Sequence, residues 1–157
     1  GGGGPPSVVP LRRVFSRNFV IANYNSQEAV DTDDGSSHLL VRDNVLAYGD
    51  NGLKAVFGGH HLVHSGNMYL FVGTCYDFVH FKGYTSRFVN NSCVFRTSYS
   101  GSSEGVCALD PLFGHAVQAN TLFGPRPGEK GCGEPVARWP KPGWLMAQAE
   151  ALLAQGT

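Results

Sequence analysis

The sequence predicts an all-β fold, a parallel β-helix of about five coils followed by a short C-terminal α-helix. Three observations carry this. Short apolar runs bounded by Asn, Gly, Asp and Ser fill the chain from Arg12 onward, with no long 3.6-residue period before the C-terminus. Five segments, mostly of the form apolar-x-x-Asn-x-apolar-apolar, superpose on Asn18, Asn44, Asn67, Asn91 and Asn120, at spacings of 26, 23, 24 and 29 residues. Helix formers gather in one stretch, Trp144 to Gln155.

Composition sets the outer bounds. The chain has 157 residues, enough for one domain, and 42% of them are hydrophobic, enough for a core. Twelve Lys and Arg balance twelve Asp and Glu. That argues against nucleic acid held by bulk charge and against a polybasic membrane sensor. No apolar run approaches the roughly 20 residues of a membrane-spanning helix. The chain opens at Gly1 and not at Met, which predicts a piece of a longer chain with further N-terminal coils, so the lack of a leader carries no information.

The elements follow in order. Residues 1–11 are Gly/Pro-rich and read as a linker or a truncated edge. Residues 12–124 hold the coils. A repeat near 25 residues made of short strands lacks the leucine ladder of a leucine-rich repeat and is too short for a propeller blade of about 40 residues. In a parallel β-helix each coil pairs with the coils above and below, rising roughly 4.8 Å. An Asn at the same turn of every coil can bond its amide to its neighbours along the axis, and Asn tolerates left-handed backbone. Residues 125–143, with Pro125, Pro127, Pro135, Pro140 and Pro142, read as a loop crossing. Residues 144–156 read as a helix that packs on or caps the solenoid, with Leu145, Ala149, Leu152 and Leu153 on one face. Cys75, Cys93, Cys107 and Cys132 contain no C-x-x-C pair, which disfavours a zinc ribbon. They are either buried thiols or two disulfides of a secreted chain, with three possible connectivities.

The Asn-bearing coils, the segment Asp31-Thr-Asp-Asp-Gly-Ser-Ser37 and the later Gly58-Gly-His-His61 together resemble the right-handed parallel β-helix superfamily, the pectate-lyase-like fold. The resemblance implies a secreted or extracellular protein that acts on or binds a polysaccharide, often an acidic one. Polygalacturonases of that superfamily carry Asn-x-Asp, Asp-Asp, Gly-His-Gly and Arg-x-Lys. Here Asp31-Thr32-Asp33 has Asp in the first place, Asp33-Asp34 stands for the pair, Gly59-His60 is followed by His61, and Arg-x-Lys has no counterpart.

The polar residues suggest chemistry of their own. Asp31, Asp33 and Asp34 repel unless paired, solvated or neutralised by a cation, and calcium accepts such oxygens. The alternative is an Asp/Gly/Ser turn whose side chains cap the backbone. Counting from each ladder Asn places Asp34 beside His60 and Asp31 in line with His80. It also places Glu28, Lys54 and Asp77 in one alternating ladder. Asp34 with His60 is an acid/base candidate, and Lys54 is a base for β-elimination if burial lowers its pKa. His60, His61 and His64 form a possible transition-metal set. Tyr24, Tyr48, Phe57, Tyr69 and Tyr84 are candidate sugar platforms, against the plainer expectation that strand aromatics are core. The candidate sites are then catalytic Asp31, Asp33, Asp34, Lys54 and His60, substrate-binding Glu28, Tyr24, Tyr48, His61, Asp77 and His80, and calcium on Asp31, Asp33 and Asp34. Two functions compete: a polysaccharide lyase or hydrolase, and a non-catalytic glycan-binding or structural cell-surface module. No nucleic acid and no membrane span are expected. A solenoid with open strand edges can associate end to end.

Overall fold

The computed structural model describes residues 11–21, 28–33, 35–55, 57–78, 82–100, 114–128, 130–131 and 134–155. Tyr24, Asp34, His80, Cys107, Cys132 and the Gly/Pro-rich start lie outside them. The chain is a parallel β-solenoid. Its first wall stacks β1 (Arg13–Ser16), β4 (Leu39–Arg42), β7 (Val63–Ser65), β9 (Arg87–Val89) and β11 (Ala116–Gln118), in that order. Each of these strands is followed by one residue pair containing the ladder Asn. The chain then enters the second wall, formed by β2 (Phe19–Ile21), β5 (Val45–Ala47), β8 (Met68–Phe78), β10 (Ser92–Ser100), β12 (Thr121–Gly124) and β14 (Glu134–Arg138). β3 (Glu28–Val30) pairs with β6 (Asn51–Ala55), which pairs with the far half of β8. All these pairings are parallel. The short β13 (Lys130–Gly131) pairs antiparallel with β14.

Five strands stack in the first wall, yet the solenoid completes about 3 turns and not five. Among the described residues, the third stretch of a coil, supplied by β3, β6 and the far halves of β8 and β10, does not recur after β12, where the chain turns at Pro125. Residues 125–143, expected as a loop, contribute β14, which stacks on β12 through Val136 and Ala137. A strand that short between prolines leaves no period to read.

One corner explains the repeat. Each ladder Asn uses its side-chain oxygen to accept the backbone N–H of the Asn in the preceding coil. The bonds run Asn18 to Asn44 at 2.9 Å, Asn44 to Asn67 at 3.1 Å, Asn67 to Asn91 at 2.9 Å and Asn91 to Asn120 at 2.8 Å. The side-chain amides donate along the same file at 2.9–3.2 Å. They also reach backbone carbonyls of the first wall, as Asn67 does to Val41 and Asn91 to His64. Asn44, Asn67 and Asn91 are buried, so every one of these bonds replaces water that the corner excludes. The left-handed residue is not the Asn itself but the one before it: Arg17, Asp43, Gly66, Asn90 and Ala119 all have φ between 55° and 67°. The turn needs that backbone in every coil, and the amide file repays its strain.

Inside the coils, Leu46, Leu53, Tyr69, Val72, Tyr76, Phe88 and Phe95 form one apolar core. A disulfide between Cys75 and Cys93 joins β8 to β10 within it. The Phe95 ring occupies the space a side chain at position 124 would need, which is why Gly124 stands there. The C-terminal helix α1 (Pro142–Ala154) does not sit across an open end. Trp144 meets Phe123 edge to face at 4.8 Å, and Gln148 and Leu152 line a cavity of about 240 Å³ with Met68, Ser92 and Asp43. The helix therefore runs along the outer face of the second wall, from the last coil back toward the second. Trp144, Leu145, Ala149 and Leu152 are half-buried, while Leu153 faces solvent. No helix among the described residues is long and apolar enough to cross a membrane.

Candidate functional site

Three groups of side chains stand out on this scaffold. The first is a carboxylate–lysine cluster beside β6. Lys54 Nζ lies 2.7 Å from Glu28 Oε1 and 2.8 Å from Asp33 Oδ2. Lys54 is in register with Asp77 of the next coil, and its ammonium stands 5.9 Å from the centre of the exposed Phe57 ring. Thr32 donates its hydroxyl to the Lys54 carbonyl and holds the Asp31–Asp33 turn against the coil. Burial alone lowers the Lys54 pKa, but the hydrogen bonds and charges of Asp33 and Glu28 outweigh it, so the ammonium is held above its ordinary value. A base for β-elimination needs the opposite shift, so these ion pairs work against that role for Lys54. Burial pushes Asp77 up to about 6, against the pull of Lys54 and with the repulsion of Asp33. Asp77 is thus the group of the cluster poised to exchange a proton near neutrality.

Lys54 also supplies the cation that the Asp turn requires. Asp33 Oδ2 is committed to it, and Asp31 accepts the Asp33 N–H at 3.2 Å, the turn-capping arrangement. Asp33 Oδ1 is buried with no hydrogen-bond partner among the described residues. Glu28, expected to touch substrate, keeps its side chain only 6% exposed in the ion pair.

The second group is an aromatic file on the outside of the solenoid. Tyr48 stacks on Phe71 with ring centres 6.0 Å apart and planes 14° apart, and Phe71 meets Trp139 edge to face at 6.1 Å. Tyr48 and Phe71 each stand four residues after a ladder Asn, both in left-handed backbone with φ of 69° and 56°. In β10 the chain skips this position, pairing Val94 with Leu70 and Phe95 with Val72, which turns Phe95 into the core. Tyr48 is 42% and Trp139 50% exposed. Trp139 and Arg138 border an open cleft of about 450 Å³ with Gly124, Pro125 and Pro127. Tyr48 was legible in the sequence, whereas Phe71 and Trp139 were not singled out. The shared offset from the ladder Asn would have found Phe71. Trp139 lay in a segment without a repeat.

The third group is a histidine corner before the first wall. Ser37 bridges to His60, which sets His38 beside His61 in the next coil. The His38 and His61 rings stack at 5.0 Å, and His60 stands edge-on to His61 with their Nδ1 atoms 2.6 Å apart. The Tyr84 ring packs edge-on against His60 at 4.7 Å. Burial, then the charges of His61 and His38, hold His60 below the ordinary imidazole range, and burial, then His38, does the same to His61. His64 is not in this group. It is fully buried, with Nδ1 2.5 Å from the Tyr69 hydroxyl, and burial pushes its pKa down to about 3. His64 leaves the expected metal set and His38 enters it. Tyr69, offered as a sugar platform, is core. The partner of His60 in the preceding coil is Ser37, three residues past the expected Asp34.

That slip of three has one origin. Coil pairing is offset by 26 residues at Arg13–Leu39 and Phe19–Val45 but by 23 at Glu28–Asn51 and Ser37–His60. The three extra residues of the first coil therefore fall between β2 and β3. Lys54 still reaches Glu28, because its long side chain spans the difference. Comparison of the chain with protein-family models, curated proteins and solved structures finds no match.

Proposed function

We propose that this β-solenoid binds a polysaccharide, of acidic character, along its outer wall. The observation that carries the reading is the outer-face file Tyr48–Phe71–Trp139, exposed at Tyr48 and Trp139 and half-buried at Phe71, beside an open cleft. Sugar rings present C–H faces that stack on aromatic planes, and a file of them suits a chain of sugars better than a single small molecule. Arg138 at the cleft edge supplies a guanidinium for a carboxylate or sulfate group. The finer placement, in the pectate-lyase-like superfamily, belongs to this reading and rests on the resemblance of the Asp31–Ser37 and Gly58–His61 segments. Secretion belongs to it as well, because a disulfide such as Cys75–Cys93 suits an oxidising compartment.

A second reading, catalysis, is favoured by Asp77. A carboxyl with a pKa of about 6 beside the Lys54 ion pairs with Glu28 and Asp33 suits the acid half of a hydrolytic pair. The experiment incubates the protein with acidic and neutral polysaccharides, with calcium and with chelator, and reads binding by affinity electrophoresis and products by mass spectrometry. Retarded migration without fragments, lost in Trp139→Ala, supports the binding module. Fragments that gain water, lost in Asp77→Asn, support a hydrolase. Unsaturated fragments, lost in Lys54→Ala or His60→Ala, support a lyase with that residue as base. Binding or turnover that needs calcium, and loses that need in Asp31→Asn, supports an ion at the Asp turn. Neither retardation nor fragments with any polysaccharide overturns both readings.

A further inference from the structure

The histidine corner is used by neither the aromatic file nor the carboxylate–lysine cluster. We propose that His38, His60 and His61 bind one divalent transition-metal ion of the zinc class, with a coordination position left open to solvent. One ring nitrogen from each residue lies within 4.8 Å of the others. The solenoid brings them together from two coils. His38 and His61 both take left-handed backbone, φ 57° and 54°, at the same corner, and His60 sits next to His61. A set of three imidazoles selects zinc and its neighbours, not calcium or magnesium, which prefer oxygen.

The geometry is close to a site and shows what must move. At zinc–nitrogen distances of about 2.0–2.1 Å, tetrahedral ligand nitrogens stand about 3.3 Å apart. The Nδ1 atoms of His60 and His61 are closer than that, at 2.6 Å, the distance of a hydrogen bond with one ring's proton between them. A metal ion takes that proton's place when the His61 ring swings outward and His38 draws in. His61 is exposed and His38 half-buried, so both rings have room to turn. His60 does not need to: it is 2% exposed and braced by the Tyr84 ring, with its Nδ1 already turned toward His61. Three protein nitrogens with an exposed fourth position match zinc sites that hold water or substrate, not sites that only brace a fold.

The test is calorimetric titration of the full chain with zinc chloride in a non-coordinating buffer near neutral pH, paired with cobalt(II) absorption. One ion per chain is expected, with the intense visible bands of a tetrahedral nitrogen site. Loss of an outer-sphere partner alone costs metal sites about 10–100-fold, so His38→Ala and His61→Ala should each weaken binding at least tenfold. Both positions are accessible enough for the variants to fold, which circular dichroism checks. No saturable binding by the parent, equal binding by His38→Ala and His61→Ala, or a cobalt spectrum without tetrahedral bands overturns the proposal.

Discussion

At the scale of single residues, the ladder asparagines are not equivalent. Asn67 is buried and donates to Val41 and Asn91 while accepting twice from Asn44. Replacing it strands several buried polar groups, so Asn67→Ala should destabilise the fold by about 2–4 kcal/mol. Asn18 is half-exposed at the end of the file, and Asn18→Ala should cost about 1 kcal/mol or less. Urea melts of the two variants measure the contrast. Asp77 makes a prediction of opposite character. Its pKa is raised in the fold from 3.8 to about 6. A carboxyl shifted upward binds its proton more tightly when folded, so keeping it ionised costs stability above about 6, and that cost vanishes below 3.8. Asp77→Asn should therefore raise the melting temperature in mildly alkaline buffer and leave it nearly unchanged in acid. Thermal melts across that range check it, and a fall in alkaline buffer would mean that attraction to Lys54 outweighs burial.

At the scale of elements, α1 behaves as a strap on the outer wall. It has no side-chain N-cap and no fully buried residue, so its hold on the solenoid rests on a few half-buried contacts. Trp144 on Phe123 is the largest of them. Trp144→Ala should cost about 1–2 kcal/mol through lost aromatic burial. Amide exchange should then rise along Pro142–Ala154, while the ladder corner, including the Met68 amide bonded to the Asn44 carbonyl, stays protected. Uniformly faster exchange across the coils would show that the helix is integral to the core. The helix itself was legible, because Pro142-Gly143 precede an Ala/Leu-rich run. Its place against the wall was not, because a 13-residue helix with apolar residues on more than one side does not announce what it covers.

At the scale of the whole molecule, the solenoid has a first coil with exposed apolar side chains. Val14, Phe19 and Ile21 are each more than half exposed, on β1 and β2, the end strands of their walls. Such edges template pairing. Sedimentation should show concentration-dependent association that Phe19→Lys and Ile21→Lys suppress, and a single monomeric species at high concentration would exclude it. The exposed first coil contrasts with the second, where Val45 is fully buried.

The sequence by itself determined the stacked architecture. A buried corner that recurs in every coil demands one short side chain able to donate and accept along the axis, and Asn meets that demand at each of five positions. It also brought Glu28, Lys54 and Asp77 into one cluster, although only Lys54 and Asp77 are in register and Glu28, opposite Asn51, is reached by the long Lys54 side chain. Tertiary structure alone decided which residues face one another elsewhere. Three extra residues between β2 and β3 shift the first coil and put Ser37, in place of Asp34, beneath His60. A bulge keeps Phe71 outside and sends Phe95 inside. The pairing of Cys75 with Cys93, and the meeting of His38 with His60 and His61, depend on the same registers. Pairing between coils is summed over every loop in the path, so a difference of a few residues that leaves the repeat visible still changes the neighbours of every side chain beyond it.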